Sequence, residues 1–274
     1  MSAITRAIPQ SALPRERNII LATLLALAAA AWLLLYWQWR TDDGDMSLTM
    51  GMGAPLFIAI WITMMVAMMF PTAAPMILMF NRVQAQKQQR GQRYVPASLF
   101  TGAYLALWAV FGVAAYAAAI GAEALADEWP WLMDNAARIG GGVLIAAGVY
   151  QLSPLKSACL SKCRSPMSFV MRSWRDGYGG AVRMGLEHGG YCLGCCWLLF
   201  VILFPLGVMN IAIMALITLL IFAEKSLPFG RQAAVGAAVA LVVYGAVVVA
   251  MPDALPTMGS MDGDAAMNES MPEM

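Results

Sequence analysis

Histidine is all but missing from this chain: there is one, His188, in 274 residues. Charge is scarce too, at 12% of residues against about 25% in an ordinary soluble domain. There is no phosphate-cradling Walker loop, no G-x-G-x-x-G and no H-E-x-x-H, and a lone histidine gives little basis for a nucleophile–base–acid set. These absences count against ATP-driven pumping by this chain alone and weigh against an enzyme. The formal net charge of +1 gives no ground for nucleic-acid binding.

What the chain has instead is apolar length. It is 61% hydrophobic with a mean hydropathy of +0.67, and several runs approach or exceed the roughly 20 apolar residues that cross a bilayer. Lipid obliges each span to satisfy its own backbone hydrogen bonds, so the expected fold is all-α, a polytopic helical membrane domain over 19–251. About seven transmembrane helices are expected, near 19–39, 54–80, 98–122, 136–152, 191–206, 208–223 and 233–251. The fifth and sixth, joined through Pro205-Leu-Gly, could instead form a re-entrant hairpin. Pro71 and Pro75 predict a kink or break in the second. Residues 1–18, polar and basic, and the tail 252–274 read as disordered.

Charge sets the orientation. With the N-terminus inside, 15 of the 17 basic residues fall on cytoplasmic segments, and only Arg40 and Arg138 lie outside. The acids Asp42, Asp43, Asp45, Glu123, Asp127, Glu128, Asp134 and the five of the tail fall on the other side. That asymmetry follows the positive-inside rule and predicts N-terminus in, C-terminus out.

All five cysteines and the histidine lie within 159–196. Cys159 and Cys163 are expected in the cytoplasmic connection 153–190, just after the fourth span. His188, Cys192, Cys195 and Cys196 are expected where the fifth span enters from the same side. Cys159/Cys163, His188/Cys192 and Cys192/Cys196 are each i, i+4, one helical face. Cytosolic thiols stay reduced, so these six residues are candidate metal ligands. Thiolate and imidazole suit Zn²⁺, and thiolate suits Cu⁺. Cysteine is also a common buried small hydrophobe, and Cys192-x2-Cys195 is a thiol–disulfide spacing as well. Glu187, beside His188, reads as an interfacial charge or a contact behind the ligands. Glu224-Lys225 reads as an anchor of the sixth span, paired or snorkelling.

The 22 methionines are unevenly placed. Met64, Met65, Met68, Met69 and Met76 line the second span, Met46, Met50 and Met52 the first outer loop, and six more lie from Met251 onward. Methionine fills irregular helix contacts well, but a segment without a core has no such use for it. Thioether sulfur is a Cu⁺ ligand that needs no deprotonation, so a ladder from outer methionines to inner thiolates is a candidate metal pathway.

Three motifs carry a family resemblance. They are Trp61-x2-Met64-Met65-x2-Met68-Met69-x-Pro71-x3-Pro75, Tyr150-Gln-Leu-Ser-Pro-Leu-Lys156-x2-Cys159-x3-Cys163-Arg-x-Pro166, and Gly190-x-Cys192-x-Gly194-x-Cys196-Trp197. With Glu224-Lys225-x2-Pro228 they resemble, over about 50–245, an uncharacterised bacterial family of predicted metal-binding integral membrane proteins. The resemblance implies an inner-membrane location and Cys159, Cys163, Cys192 and Cys196 as motif positions; it does not reach the tail. The expected function is handling of a soft metal, Cu(I) before Zn(II), for transport or delivery across the inner membrane, with a metal chaperone or acceptor protein as partner. A membrane thiol–disulfide oxidoreductase and an accessory subunit with a structural zinc are the alternatives.

Overall fold

In the computed structural model the described residues are 12–41, 48–49 and 51–255. Met46, Met50, the acids Asp42, Asp43 and Asp45 and the segment 256–274 lie outside them. The described residues are helical, without strands. In order the helices are α1 (Ala12–Thr41), α2 (Ala54–Gln89), α3 (Ala97–Glu128), α4 (Pro130–Asp134), α5 (Ala136–Gln151), α6 (Pro154–Arg164), α7 (Pro166–Ser173), α8 (Gly177–Val201), α9 (Leu203–Leu206), α10 (Ile211–Ser226) and α11 (Gly230–Ala250). A 3-10 turn, Pro252–Ala254, follows.

Five stretches are long and apolar enough to cross a membrane: Arg15–Thr41, α2, α3, Gly177–Leu206 and α11. The pair α5 and α6, bent by 61° at its junction, makes a sixth if counted as one broken span. The sequence expectation of seven differs because α5 and α10 have 16 residues each, short of the roughly 20 a span needs. Other boundaries move as well. Residues 12–18, expected to be structureless, open α1, and the connection 153–190 is built from α6, α7 and the first half of α8. The helix carrying His188 and Cys192 thus begins at Gly177 rather than Tyr191, which puts both residues in its interior.

Nor does α2 break at its prolines; it runs helical through Pro71 and Pro75. A proline has no N–H, so Pro71 leaves the carbonyl four residues back, that of Ala67, without its helical donor. The indole Nε1–H of Trp32, on α1, donates to that carbonyl at 3.2 Å. A neighbouring helix thereby supplies the bond that the sequence removes.

The chain forms two compact units. The first comprises Met1–Leu35, Ile58–Val113 and Ala158–Cys195. Within it α8 approaches α3 through Gly185 and Gly189, a small-x3-small pair of the kind that lets helices close on one another. A Cβ on Gly185 would lie 2.4 Å from the Phe100 carbonyl oxygen, and one on Gly189 3.0 Å from Leu107. Gly112 similarly accepts the Trp61 ring, whose Nε1–H donates to the Trp108 carbonyl at 3.1 Å. At one end of the unit Lys87 pairs with Asp176 and lies over the Trp174 ring. The Lys87 ammonium holds the Asp176 carboxyl below its usual range, with the Trp174 N–H adding to the effect.

The second unit comprises Tyr36–Phe57, Ala114–Ser157 and Cys196–Met274. Its core contact is α5 against α11. A Cβ on Gly141 would meet the Gly245 carbonyl oxygen at 2.9 Å, and one on Gly148 the Ala238 carbonyl oxygen at 2.8 Å. Glycine and alanine seven residues apart on both helices let the backbones touch. Ser153 caps α6, its hydroxyl accepting from the Lys156 N–H at 3.1 Å, and Pro154 opens the helix. This Ser-Pro step ends α5 and starts α6 on a new axis.

Candidate metal centre

Five of the six predicted Cys/His ligands belong to the first unit, and the structure places each differently. Cys192, Cys195 and His188 are buried, whereas Cys159 and Cys163 are half-buried. Cys196 is also buried and begins the second unit's share of α8. All five cysteines are present as thiols.

Cys192 is the centre of the group. Its sulfur lies 3.9 Å from the thioether sulfur of Met69 on α2 and 3.1 Å from the hydroxyl of Tyr104 on α3. Three helices thus converge on one thiol. Their approach follows from the glycine pair on α8, which brings α3 close enough for Tyr104 to reach. The Tyr104 ring also stacks on His188, with centroids 5.5 Å apart. Phe100 and Phe169 complete an aromatic enclosure around the imidazole, at 5.9 and 5.6 Å.

Cys195 sits one turn on, its thiol donating to the Cys192 carbonyl at 3.1 Å. Gly194 lies between them, and α6 uses the gap: a Cβ on Gly194 would lie 2.8 Å from the Cys159 sulfur. Cys159 and Cys195 are near enough to interact electrostatically. The thiols of α6 and α8, far apart in sequence, therefore share one neighbourhood through Cys159. Cys163 lies a turn further along α6. Glu187 accepts from the Ser173 hydroxyl at 2.9 Å, which engages it with α7.

Among the described residues, no three histidine, cysteine, aspartate or glutamate side chains gather closely enough to hold a metal ion. Methionine adds the missing donor class. Of the predicted methionine series, Met64, Met65, Met68, Met69 and Met76 are all buried, and Met69 is the one that meets Cys192. With metal–sulfur bonds of roughly 2.3 Å, two sulfurs on one trigonal or tetrahedral ion lie about 3.8–4.0 Å apart. The Cys192–Met69 separation falls in that interval, so the spacing of these two sulfurs matches that of a pair sharing one soft ion.

Sequence reasoning missed Tyr104 and had Gly194 only as a motif position. A tyrosine in an apolar span signals a buried hydroxyl that needs a partner, and a glycine between two cysteines signals close approach, but neither names its neighbour.

The fold and this site together define a class: a helical protein with several membrane-length apolar helices and a buried thiol–thioether pair. The family described as PpoB2, copper chaperone, matches residues 58–248, and the chain belongs to it. No curated protein and no solved structure matches the chain. The expectation of copper handling is consistent with this family's description, whereas the match does not show the family of predicted metal-binding integral membrane proteins that the motifs resemble. The matched stretch includes Met69, Tyr104 and all five cysteines.

Proposed function

We propose that this protein receives Cu(I) as cargo in a membrane and passes it on through sulfur donors, Met69 and Cys192 first, with Cys195 and Cys159 next in reach. The observation that carries this reading is the 3.9 Å contact between the Cys192 and Met69 sulfurs. Both are buried, where water and hard ligands do not compete. A thioether binds Cu(I) without losing a proton, and zinc sites draw on thiolate, imidazole and carboxylate instead. Met69 therefore favours copper over zinc. Cys192 must lose its proton to bind, and the Tyr104 hydroxyl can donate to the resulting thiolate, a charge-assisted bond stronger than a neutral one. His188, Cys163 and Cys196 complete the proposed ligand set. The buried methionines Met64, Met65, Met68 and Met76 form the approach along α2.

In this reading the membrane is the bacterial inner membrane, and a soluble copper acceptor collects the ion from the thiols. The test is copper stoichiometry of the anaerobically purified protein after Cu(I) loading and gel filtration. Wild type retains copper, Cys192→Ser loses it, and Met69→Leu, a near volume-conserving change, retains it with lower affinity. Copper retention unchanged in Cys192→Ser overturns the reading. Alkylation revealing an interconverting Cys192–Cys195 disulfide in protein that takes up no metal replaces it with a thiol oxidoreductase.

A further inference from the structure

The second unit contains a closed ring of three polar side chains. The Lys156 ammonium, on α6, donates to Glu224 Oε2 on α10 at 2.7 Å and also to Gln151 Oε1, at the end of α5. The Gln151 amide N–H donates to the other carboxylate oxygen, Oε1, at 3.0 Å. All three side chains are buried, with Lys156 1% and Glu224 2% exposed. The adjacent Lys225 is buried as well. A charge pair withdrawn from water contributes little net stability compared with apolar side chains of the same volume, and intramembrane ionisable groups commonly mark ion sites.

The ring has a direction. Gln151 spends its N–H on Glu224, which turns its oxygen toward the ammonium. One formally charged and one amide oxygen therefore converge on a single point, two of the oxygens that a small cation would bind there. We propose that Glu224 and Gln151 form an oxygen-lined cation site, and that Lys156 is the tethered cation filling it. The primary ammonium of the chain stands in for a free alkylammonium or alkali ion, which neutralises the Glu224 carboxylate whatever salt surrounds the protein. The site shares no residue with the copper ligands and stands whether or not the copper reading does.

Removing the tether exposes the site. Thermal unfolding of the full-length protein in lipid nanodiscs is measured for wild type, Lys156→Ala and Lys156→Ala/Glu224→Gln. Ethylammonium, potassium and sodium chloride are each compared with choline chloride at equal ionic strength. The wild-type Tm does not distinguish the salts. Lys156→Ala melts several degrees lower in choline and recovers with rising ethylammonium or alkali ion, as binding to the folded state requires. The recovery vanishes in the double variant. A Lys156→Ala protein as indifferent to the cation as wild type overturns the proposal, and so does recovery that survives Glu224→Gln. If Lys156→Ala does not accumulate, Lys156→Glu/Glu224→Lys takes its place. Wild-type-like melting in every salt then supports the site, and misfolding of this variant where Lys156→Ala/Glu224→Gln folds overturns it.

Discussion

Tyr104 and Met69 are neighbours of different kinds to the Cys192 sulfur, and each can be removed alone. Tyr104→Phe deletes one oxygen and leaves the ring on His188. In the metal-free protein this costs about 1 kcal/mol, an ordinary hydrogen bond. Against a thiolate the same bond is worth about 1.5–3 kcal/mol, so net of the loss in the metal-free protein Cu(I) affinity falls roughly two- to thirtyfold. Competition titration with a chromogenic Cu(I) chelator measures this, and unchanged affinity would show that the hydroxyl does not serve the bound state. Gly194→Ala asks a different question. Its Cβ would lie 2.8 Å from the Cys159 sulfur, which can move only by rotating about its own Cα–Cβ bond. The expected outcome is faster alkylation of Cys159 and weaker copper binding. Faster alkylation with unaltered copper binding would remove Cys159 from the ligand set.

Among the elements, α2 shows how a sequence rule can be correct in its chemistry and incomplete in its consequence. Two prolines do remove two helical donors, and from the second span alone a break is the natural expectation. What keeps the helix continuous past Pro71 is an indole on another helix, and no spacing in α2 announces it. Trp32→Phe keeps the aromatic bulk and strands the Ala67 carbonyl, at a cost of about 1–3 kcal/mol. Adding Pro71→Ala restores the backbone donor to that carbonyl, so the double variant should regain most of the lost Tm although each residue lies far from the other in sequence. A double variant no more stable than Trp32→Phe would show that the indole acts by packing alone. The same limit runs through the rest of the fold. Apolar length made the helices legible, and the i, i+4 spacings placed His188, Cys192 and Cys196 on one helix, α8. Boundaries shifted where polar stretches such as 12–18 and 153–190 are helical, because charge and hydroxyls mark exposure and not the absence of a helix. Partners across helices, Tyr104 to Cys192 and Gln151 and Lys156 to Glu224, depend on packing that one-dimensional spacing does not encode.

For the whole molecule the question is which short helices cross, and charge supplies a prediction where length does not. If only the five long stretches span and the N-terminus is inside, 129–176 lies outside, with Lys156, Lys162, Arg164, Arg172 and Arg175 on the side that positive residues avoid. If α5 crosses as a sixth span, with α6 beyond it, those residues return inside, but Lys225 and the N-terminal end of α11 with Arg231 fall outside and the acidic tail inside. Only when α10 crosses as well do 15 of the 17 basic residues share one side. A 16-residue helix reaches about 24 Å at 1.5 Å per residue, short of the roughly 30 Å hydrocarbon core. Local thinning or snorkelling ends can bridge that gap at a modest cost, less than leaving the lysines and arginines on the wrong side. The prediction is therefore seven crossings, N-terminus in and C-terminus out. Reporters active on one side only, fused after residues 128, 165, 228 and 274, read this directly. The fusions after 165 and 228 should report inside, and those after 128 and 274 outside. An inside signal at 274 with an outside signal at 228 would reduce the crossings to six and leave α10 within one leaflet.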